Sequence, residues 1–175
     1  MIARAFFSLR LCASVAFFPG CGYHVAGRAT ALPASLHTIA VPSFKNETPR
    51  FKIEQALTQA VVRELITRTR YRIQSEEDGS EAVLRGTVTG YWAFPVVFDP
   101  QSGRATTVAI NVRLRVALVD RRTGKPIYEN QDYIFSERYE ISRETSGYFE
   151  ESAPAIERMS RSVAAGLVSA ILEGF

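Results

Sequence analysis

The sequence predicts an α+β fold, a two-layer sandwich in which a mixed, mostly antiparallel sheet has two helices packed on one face. Between residues 38 and 73, a strand, a helix and a second strand follow one another with short connections. Three long segments of period two and a final amphipathic helix complete the chain. Helices with one apolar stripe and a sheet with one apolar face are buried most economically in two layers, which leaves the other sheet face free.

Residues 1–20 have the composition of a secretory signal peptide and stand directly before a cysteine. Two arginines precede eight mostly apolar residues, 11–18, which are too few to cross a bilayer as a helix. Gly20 is small, as lipoprotein processing requires of the residue before the acylated cysteine. We therefore expect a lipoprotein signal peptide over 1–20 and a lipid on Cys21. The alternatives are a start-site artefact or a plain export signal with an incidental cysteine.

The composition argues against several classes of function. The chain has 21 Lys and Arg against 18 Asp and Glu, and the signal segment holds two of the basic residues and none of the acidic ones. The mature chain would therefore be close to neutral, so its charge does not support nucleic-acid binding. Its one cysteine would be acylated, so we expect no disulfide and no cysteine-based metal site.

The domain is expected to begin after an extended arm. Residues 22–37 show neither helical nor strand periodicity and contain glycine and proline. We therefore expect a lipidated tether over 21–37 and a single domain over 38–175. A short apolar run at 38–42 predicts a buried strand, and residues 43–50 predict a polar turn.

Two helices are predicted. The first ends near Arg68, and residues 71–73 after it predict a second strand. A strand, a helix and a strand joined by short connections favour a parallel, right-handed crossover. The last helix is predicted to start near Ser152 and to end before Gly174, a residue type that often follows a helix C-terminus.

Between the helices the sequence predicts an antiparallel meander. Residues 82–92 and 108–118 alternate with a period of two, and a third strand is expected over 126–139. The even positions of the first of these strands, up to Trp92, are expected to share the core face. The apolar parity of the third strand changes between Tyr128 and Tyr133, which predicts a β-bulge.

No catalytic or cofactor site can be assembled from these residues. His24 and His37 both lie in the predicted tether, without a nucleophile or carboxylate at a telling spacing. The glycines of Gly86–Gly90 lie in a strand pattern and lack the ending of a phosphate-binding loop, so we interpret them as strand glycines beside bulky neighbours. The acidic run 76–78 lacks the spacing of calcium ligands. The sequence predicts a non-enzymatic protein without metal or cofactor.

Two surfaces are candidates for binding. Large apolar residues in the connection between the first two long strands suggest a partner-contact loop, with capping of the core as the alternative. They are Trp92, Phe94, Val96, Val97 and Phe98. Arginines on or near the polar sheet face offer guanidinium groups that suit anionic phosphates, with ordinary solvation as the alternative. They are Arg85, Arg104, Arg113 and Arg115.

Four short motifs lie in the N-terminal third of the chain. They are Gly20-Cys21-Gly22-Tyr23-His24 with Gly27, Leu32-Pro33, Ile39-Ala40-Val41-Pro42 and Asn46-Glu47-Thr48. In these motifs the chain resembles the lipopolysaccharide-assembly lipoproteins of the outer membrane. The order of strand, helix, strand, three long strands and C-terminal helix is similar to theirs as well, so the resemblance covers almost the whole mature chain.

The resemblance implies a location, a partner and a ligand. Members of this family are anchored through an acylated cysteine, here Cys21, to the inner leaflet of the outer membrane. Gly22, rather than an aspartate after the cysteine, fits sorting to that membrane. They plug a β-barrel translocon and help to deliver lipopolysaccharide to the cell surface. The resemblance thus implies that the apolar connection reaches the barrel and that the arginines meet lipid A phosphates.

Two other interpretations remain open from the sequence. A different outer-membrane lipoprotein, such as a secretion-pore subunit or a cell-wall-synthase activator, shares the strand–helix–strand opening. Its partner would be a ring of copies or a synthase. A periplasmic lipid-binding or enzymatic domain is disfavoured, because the residues supply no catalytic site.

Overall fold

The computed structural model describes residues 32–33, 35–140 and 152–174. The predicted signal peptide, Cys21 and the first part of the predicted tether lie outside the described residues. The described elements follow the predicted order, with one short strand added. They are β1 (Thr38–Ala40), β2 (Lys45–Asn46), α1 (Ile53–Arg68), β3 (Arg72–Gln74), β4 (Ala82–Phe98), β5 (Ala105–Asp120), β6 (Pro126–Glu140) and α2 (Ser152–Glu173).

One mixed sheet contains all of these strands. Its order is β3-β1-β4-β5-β6, and β2 also pairs with β4. β1 is parallel to β3 and β4, whereas β4, β5 and β6 form an antiparallel meander. The predicted parallel strand–helix–strand unit and the meander are both confirmed. The pattern does not predict β2, because two residues are too few to show an alternation.

Both helices cover the same face of the sheet. On β5 the even positions, among them Val112, Leu114 and Val116, are buried as the alternation predicts. The apolar stripes of α1 and α2 pack against them in one continuous core, which includes Leu57 and Leu167. The fold is the predicted two-layer α+β sandwich. Its opposite sheet face, called the outer face below, carries no second layer within the described residues.

The domain begins earlier than the sequence predicts. Leu32 and Leu36, which fall in the predicted tether, are buried in the core. The backbone N–H groups of His37 and Thr38 donate to the carboxylate of Glu81. These residues therefore belong to the domain rather than to a tether. Two isolated leucines show no periodicity, so sequence composition alone assigns this segment to the arm.

A β-bulge in β4 changes which side chains face the core. The strand has an extra residue, Thr89, and beyond it Trp92 lies opposite Asn111 on the outer face. The expectation that Trp92 shares the core face is wrong, because one bulge reverses the parity of the residues that follow. The bulge predicted in β6 is confirmed by a register shift between Asn130 and Tyr133.

β4 continues beyond the predicted strand. The segment Phe94–Phe98, predicted as a loop, is the last part of β4 and pairs with β5. Pro95 is tolerated there because this stretch of β4 pairs only with β5, and proline occurs on strand edges. The chain then turns back at Asp99, whose Oδ1 accepts the N–H of Ser102 at 2.8 Å. Gly103 allows the turn with a φ of 66°.

The hydrogen bonds of Glu81 predict a local response to acid. They hold its pKa below the usual value, because the backbone N–H groups of His37 and Thr38 donate to the ionised carboxylate. A lowered pKa stabilises the fold above the unfolded value, about 4.3 for Glu, and this contribution is lost as the pH falls through the folded pKa. We expect hydrogen-exchange protection factors at His37 and Thr38 to fall between about pH 5 and pH 3, before those of β5. Glu81→Gln should abolish this pH-dependent fall in protection at His37 and Thr38. If the fall is unchanged in the variant, Glu81 is not the group that causes it.

Candidate functional site

A hairpin formed by β4 and β5 carries uncovered apolar side chains. Residues 92–98 are all exposed, and because consecutive residues are exposed, neither side of this part of β4 is covered. Its large apolar members form the hairpin surface. They are Trp92, Phe94, Val96, Val97 and Phe98. Trp92 is 49% and Phe98 55% exposed, so the alternative that this segment caps the core is wrong. Exposed apolar patches are often interaction sites, so the hairpin surface is a candidate contact surface.

Trp92 lies against the outer face at the base of the hairpin. Its indole lies over Gly90, where a Cβ would come within 2.1 Å of Trp92 Cη2. This confirms the interpretation of a strand glycine beside a bulky neighbour. Arg113 Cζ lies 5.5 Å from the centre of the indole ring, a cation–π distance. Arg113 Nε is 2.9 Å from Asp132 Oδ1, so Trp92, Arg113 and Asp132 form one connected group on the outer face.

Three of the predicted arginines share the outer face, and the fourth lies in the turn of the hairpin. On the face are Arg85, Arg113 and Arg115, and in the turn is Arg104. Arg85 donates two hydrogen bonds to Glu77, at 3.2 Å and 2.7 Å, and this pairing lowers the pKa of Glu77. Arg115 is held more loosely, with Nη1 3.9 Å from Glu47 Oε1. Arg115 is therefore more available to a ligand than Arg85.

A further arginine of this face escapes the sequence analysis. Arg138 on β6 pairs with Ala109 of β5, which in turn pairs with Phe94. Its side chain therefore lies on the outer face beside the aromatic residues of the hairpin. No ion pair of Arg138 is found within the described residues. The sequence signal that could have found it is Tyr139, because an aromatic strand residue is expected to face the core and its neighbour Arg138 then faces the other way. The structure agrees, since Tyr139 is buried.

The ion pairs of the outer face contribute little to stability. Arg113, Arg115 and their carboxylate partners are each about half exposed, and exposed pairs of this kind typically contribute less than about 1 kcal/mol. A phosphate group offers more charge and more acceptor oxygens than the carboxylate it would replace. Arg113 and Arg115 can therefore leave their carboxylate partners and bind an anionic ligand with little loss of stability.

The acidic run at 76–78 has a structural role. Glu77 holds Arg85, and Asp78 Oδ1 lies 3.8 Å from Arg121 Nη2. Within residues 32–33, 35–140 and 152–174, no group of three His, Cys, Asp or Glu residues could hold a metal ion. Neither helix of this part of the chain is long and apolar enough to cross a membrane.

The fold recurs in solved structures of other bacterial proteins. The PelC dodecamer from Paraburkholderia phytofirmans has a TM-score of 0.54 at 14% identity, over 83% of this chain and 94% of that one. A putative lipoprotein from Caulobacter crescentus CB15 has a TM-score of 0.50 at 12% identity, over 75% and 88%. The protein XCC0632 from Xanthomonas campestris has 0.54 at 16% identity, over 83% and 90%. At these identities the likeness shows the fold alone.

The fold is a two-layer α+β domain with an open sheet face and an apolar hairpin. The chain belongs to the lipopolysaccharide-assembly family LptE, whose model matches residues 36–171. The match confirms the resemblance of the sequence motifs and makes the protein an outer-membrane lipoprotein of lipopolysaccharide assembly, in a family that is non-enzymatic. No curated protein sequence matches the chain.

Proposed function

We propose that this protein plugs and supports an outer-membrane β-barrel translocon and assists the delivery of lipopolysaccharide to the cell surface. The hairpin surface carries the proposal, because large apolar side chains that are exposed together on a paired β-hairpin are typical of an interface anchor. The open outer face supports it as well. A barrel interior is polar, and a domain with helices on one side only can present its polar sheet face to such a lumen.

Co-purification after mild detergent extraction tests this function. An affinity-tagged full-length chain should recover one β-barrel protein in equimolar amount, identified by mass spectrometry. Rings of the chain without a barrel would point instead to a secretion-pore subunit, and recovery of a synthase would point to a synthase activator. Recovery of the chain alone contradicts the proposal.

Cys21 is proposed to carry the lipid that holds the domain at the periplasmic face of the outer membrane. Cys21→Ser removes the thiol that receives the diacylglycerol, and it changes a residue of the predicted tether by a single side-chain atom. We expect the variant, produced in excess over the barrel, in the soluble fraction with an unchanged thermal midpoint. Mass spectrometry of the wild-type N-terminal peptide is the control, and an unacylated Cys21 would rule out the anchor.

The outer face is proposed to meet the phosphates of lipid A. Arg113 and Arg115 face the ligand beside Arg138, and Arg104 lies at the turn of the hairpin. Arg85 is expected to contribute least to binding, because its guanidinium group already donates two hydrogen bonds to Glu77. One guanidinium group can donate two parallel hydrogen bonds to two oxygens of a phosphate, and this geometry contributes both affinity and a fixed orientation.

Reversing two of these charges should weaken lipopolysaccharide binding. Arg115→Glu with Arg138→Glu is expected to lower affinity by roughly tenfold or more, because charge-assisted hydrogen bonds contribute about 1.5–3 kcal/mol each. The thermal midpoint should stay close to that of the wild type, because both residues are exposed. Arg63→Glu with Arg70→Glu, exposed on the helical side, makes the same change in net charge. If both double variants lose the same lipopolysaccharide affinity at one salt concentration, the loss is due to the change in net charge and not to the arginines of the outer face.

A further inference from the structure

A further exposed aromatic side chain, outside the hairpin surface, lies just before α1. The segment of residues 46–52, called the Asn46 loop below, connects β2 to this helix. Near its end Phe51 is 79% exposed, more than any other large apolar side chain among the described residues. Exposure on this scale brings no benefit to the isolated domain, because burial of an aromatic side chain is favourable.

The loop that presents Phe51 is rigid. Asn46 Oδ1 accepts the backbone N–H of Thr48 at 2.9 Å and its hydroxyl at 2.7 Å. Asn46 Nδ2 donates to the carbonyl of Arg50 at 2.8 Å and to Glu54 Oε2 at 2.9 Å. One side chain therefore fixes the backbone on both sides of the turn, up to the residue before Phe51.

The loop also holds a strained residue. Lys52 has a φ of 60° and a ψ of 12°, and it is the one non-glycine residue with a positive φ in the described part of the chain. This left-handed conformation is unfavourable for a residue with a Cβ, and glycine would adopt it freely. Strain of this kind persists where the surrounding structure holds it, often at binding sites. Lys52 Nζ lies 5.0 Å from the centre of the Phe51 ring.

The Asn46 loop adjoins the base of the hairpin. Asn46 pairs with Val88 of β4, and Arg50 Cζ lies 5.6 Å from the centre of the Tyr91 ring. Tyr91 faces the helical side of β4, opposite Trp92, and Ala93, the next residue on that side, is exposed at the base of the hairpin. The loop therefore adjoins the hairpin that the proposed function assigns to the barrel, on the side of the helices.

We propose that Phe51 is a second docking anchor, which inserts into an apolar pocket with carboxylates at its rim on the translocon barrel. The inference rests on the proposed function. A rigid loop with one aromatic side chain suits a shaped protein pocket, because a preorganised anchor loses little entropy on binding. Lys52 beside the ring calls for a negative partner at the rim. A lipid surface suits it less, because interfacial anchors present a broad apolar face, whereas Phe51 is the one large apolar side chain that the Asn46 loop exposes.

Thiol accessibility at position 51 tests the proposal. With Cys21 acylated, the mature chain has no other cysteine, so Phe51→Cys introduces a unique reactive thiol. Ile66→Cys is the matched control, since Ile66 lies on α1 and is 58% exposed. A membrane-impermeant maleimide should label both variants of the purified lipidated chain. In the detergent-extracted barrel complex we expect labelling at 51 to slow by at least about tenfold and labelling at 66 to stay unchanged.

Every other occupant of this site gives a result that overturns the proposal. Protection in the concentrated purified chain alone indicates a second copy. Protection by vesicles of phosphatidylethanolamine and phosphatidylglycerol indicates a lipid surface. Full reactivity at position 51 in the complex removes Phe51 from the interface. In that last case the barrel still co-purifies, so this failure differs from a failure of the proposed function, in which no barrel is recovered.

Two further variants separate docking from folding. Asn46→Ala removes the hydrogen bonds that hold the loop, so labelling at position 51 in the complex should speed up several-fold in this background. Lys52→Gly should raise the thermal midpoint of the chain, because it relieves the left-handed strain, and should weaken recovery of the barrel. A lower thermal midpoint in Lys52→Gly would show that Lys52 is not strained. Unchanged protection of the thiol at position 51 in the Asn46→Ala background would show that the loop does not hold the anchor in place for docking.

Discussion

Replacing Phe94 and Phe98 with aspartate is expected to lower recovery of the barrel partner by at least about tenfold. Both side chains belong to the hairpin surface and are exposed. A large apolar side chain buried at an interface contributes about 1.5–3 kcal/mol, and about 1.4 kcal/mol corresponds to a factor of ten. An aspartate in the same place adds the cost of desolvating a charge. The thermal midpoint of the domain should not change, because neither residue packs in the core.

Ile66→Asp is the control for this experiment. Ile66 is also a large, exposed apolar residue, but it lies on α1, in the opposite layer. The variant should recover the barrel as well as the wild type does. Full recovery with the hairpin variant, or an equal loss with both, would take the hairpin surface out of the interface.

Gly86→Val is expected to lower the free energy of unfolding by about 3 kcal/mol. A Cβ at Gly86 would lie 2.6 Å from Phe44 Cδ2 and 2.8 Å from its Cγ. The near end of the ring is in the way, and Phe44 is buried. Its backbone is also held, since Phe44 N–H donates to Thr58 Oγ1 at 3.0 Å. The substitution must therefore displace Phe44 from the core, which urea unfolding of the soluble Cys21→Ser form would measure.

Gly90→Ala provides the matched comparison on the same strand. A Cβ there would approach only the far end of the Trp92 indole, and Trp92 is exposed, so the ring can swing into solvent. We expect a loss of less than about 1 kcal/mol. A larger loss at Gly90 than at Gly86 would contradict the packing of both aromatic rings.

How far the sequence predicts the fold depends on how regular each strand is. β5 alternates over its whole length, and its core positions, such as Leu114 and Val116, can be read from the pattern. In β4 the alternation is just as visible, but Thr89 is an extra residue that the pattern does not reveal. The same bulge turns Trp92 from an expected core residue into a neighbour of Arg113. Side-chain direction beyond a bulge depends on strand pairing, which local periodicity does not contain.

The candidate site is predicted in composition but not in geometry. The apolar residues of the hairpin stand out in the sequence, yet their place in a strand rather than a loop depends on pairing with β5. The ion pair of Arg113 with Asp132 joins two strands and cannot be read from either one. The sequence does not predict that Phe51 is exposed, because a single aromatic residue between a turn and a helix is usually expected to pack in the core. Both its exposure and the hydrogen bonds of Asn46 in the preceding turn are visible only in the structure.

Photocross-linking from position 97 in living cells tests most directly whether the hairpin surface lies against a barrel protein. Val97 is 49% exposed in the middle of that surface, so a photoreactive amino acid there should not disturb the fold. We predict one dominant product, in which the chain is joined to an outer-membrane β-barrel protein at residues that face its lumen. Products that join the chain only to copies of itself, or only to lipid, would contradict the account.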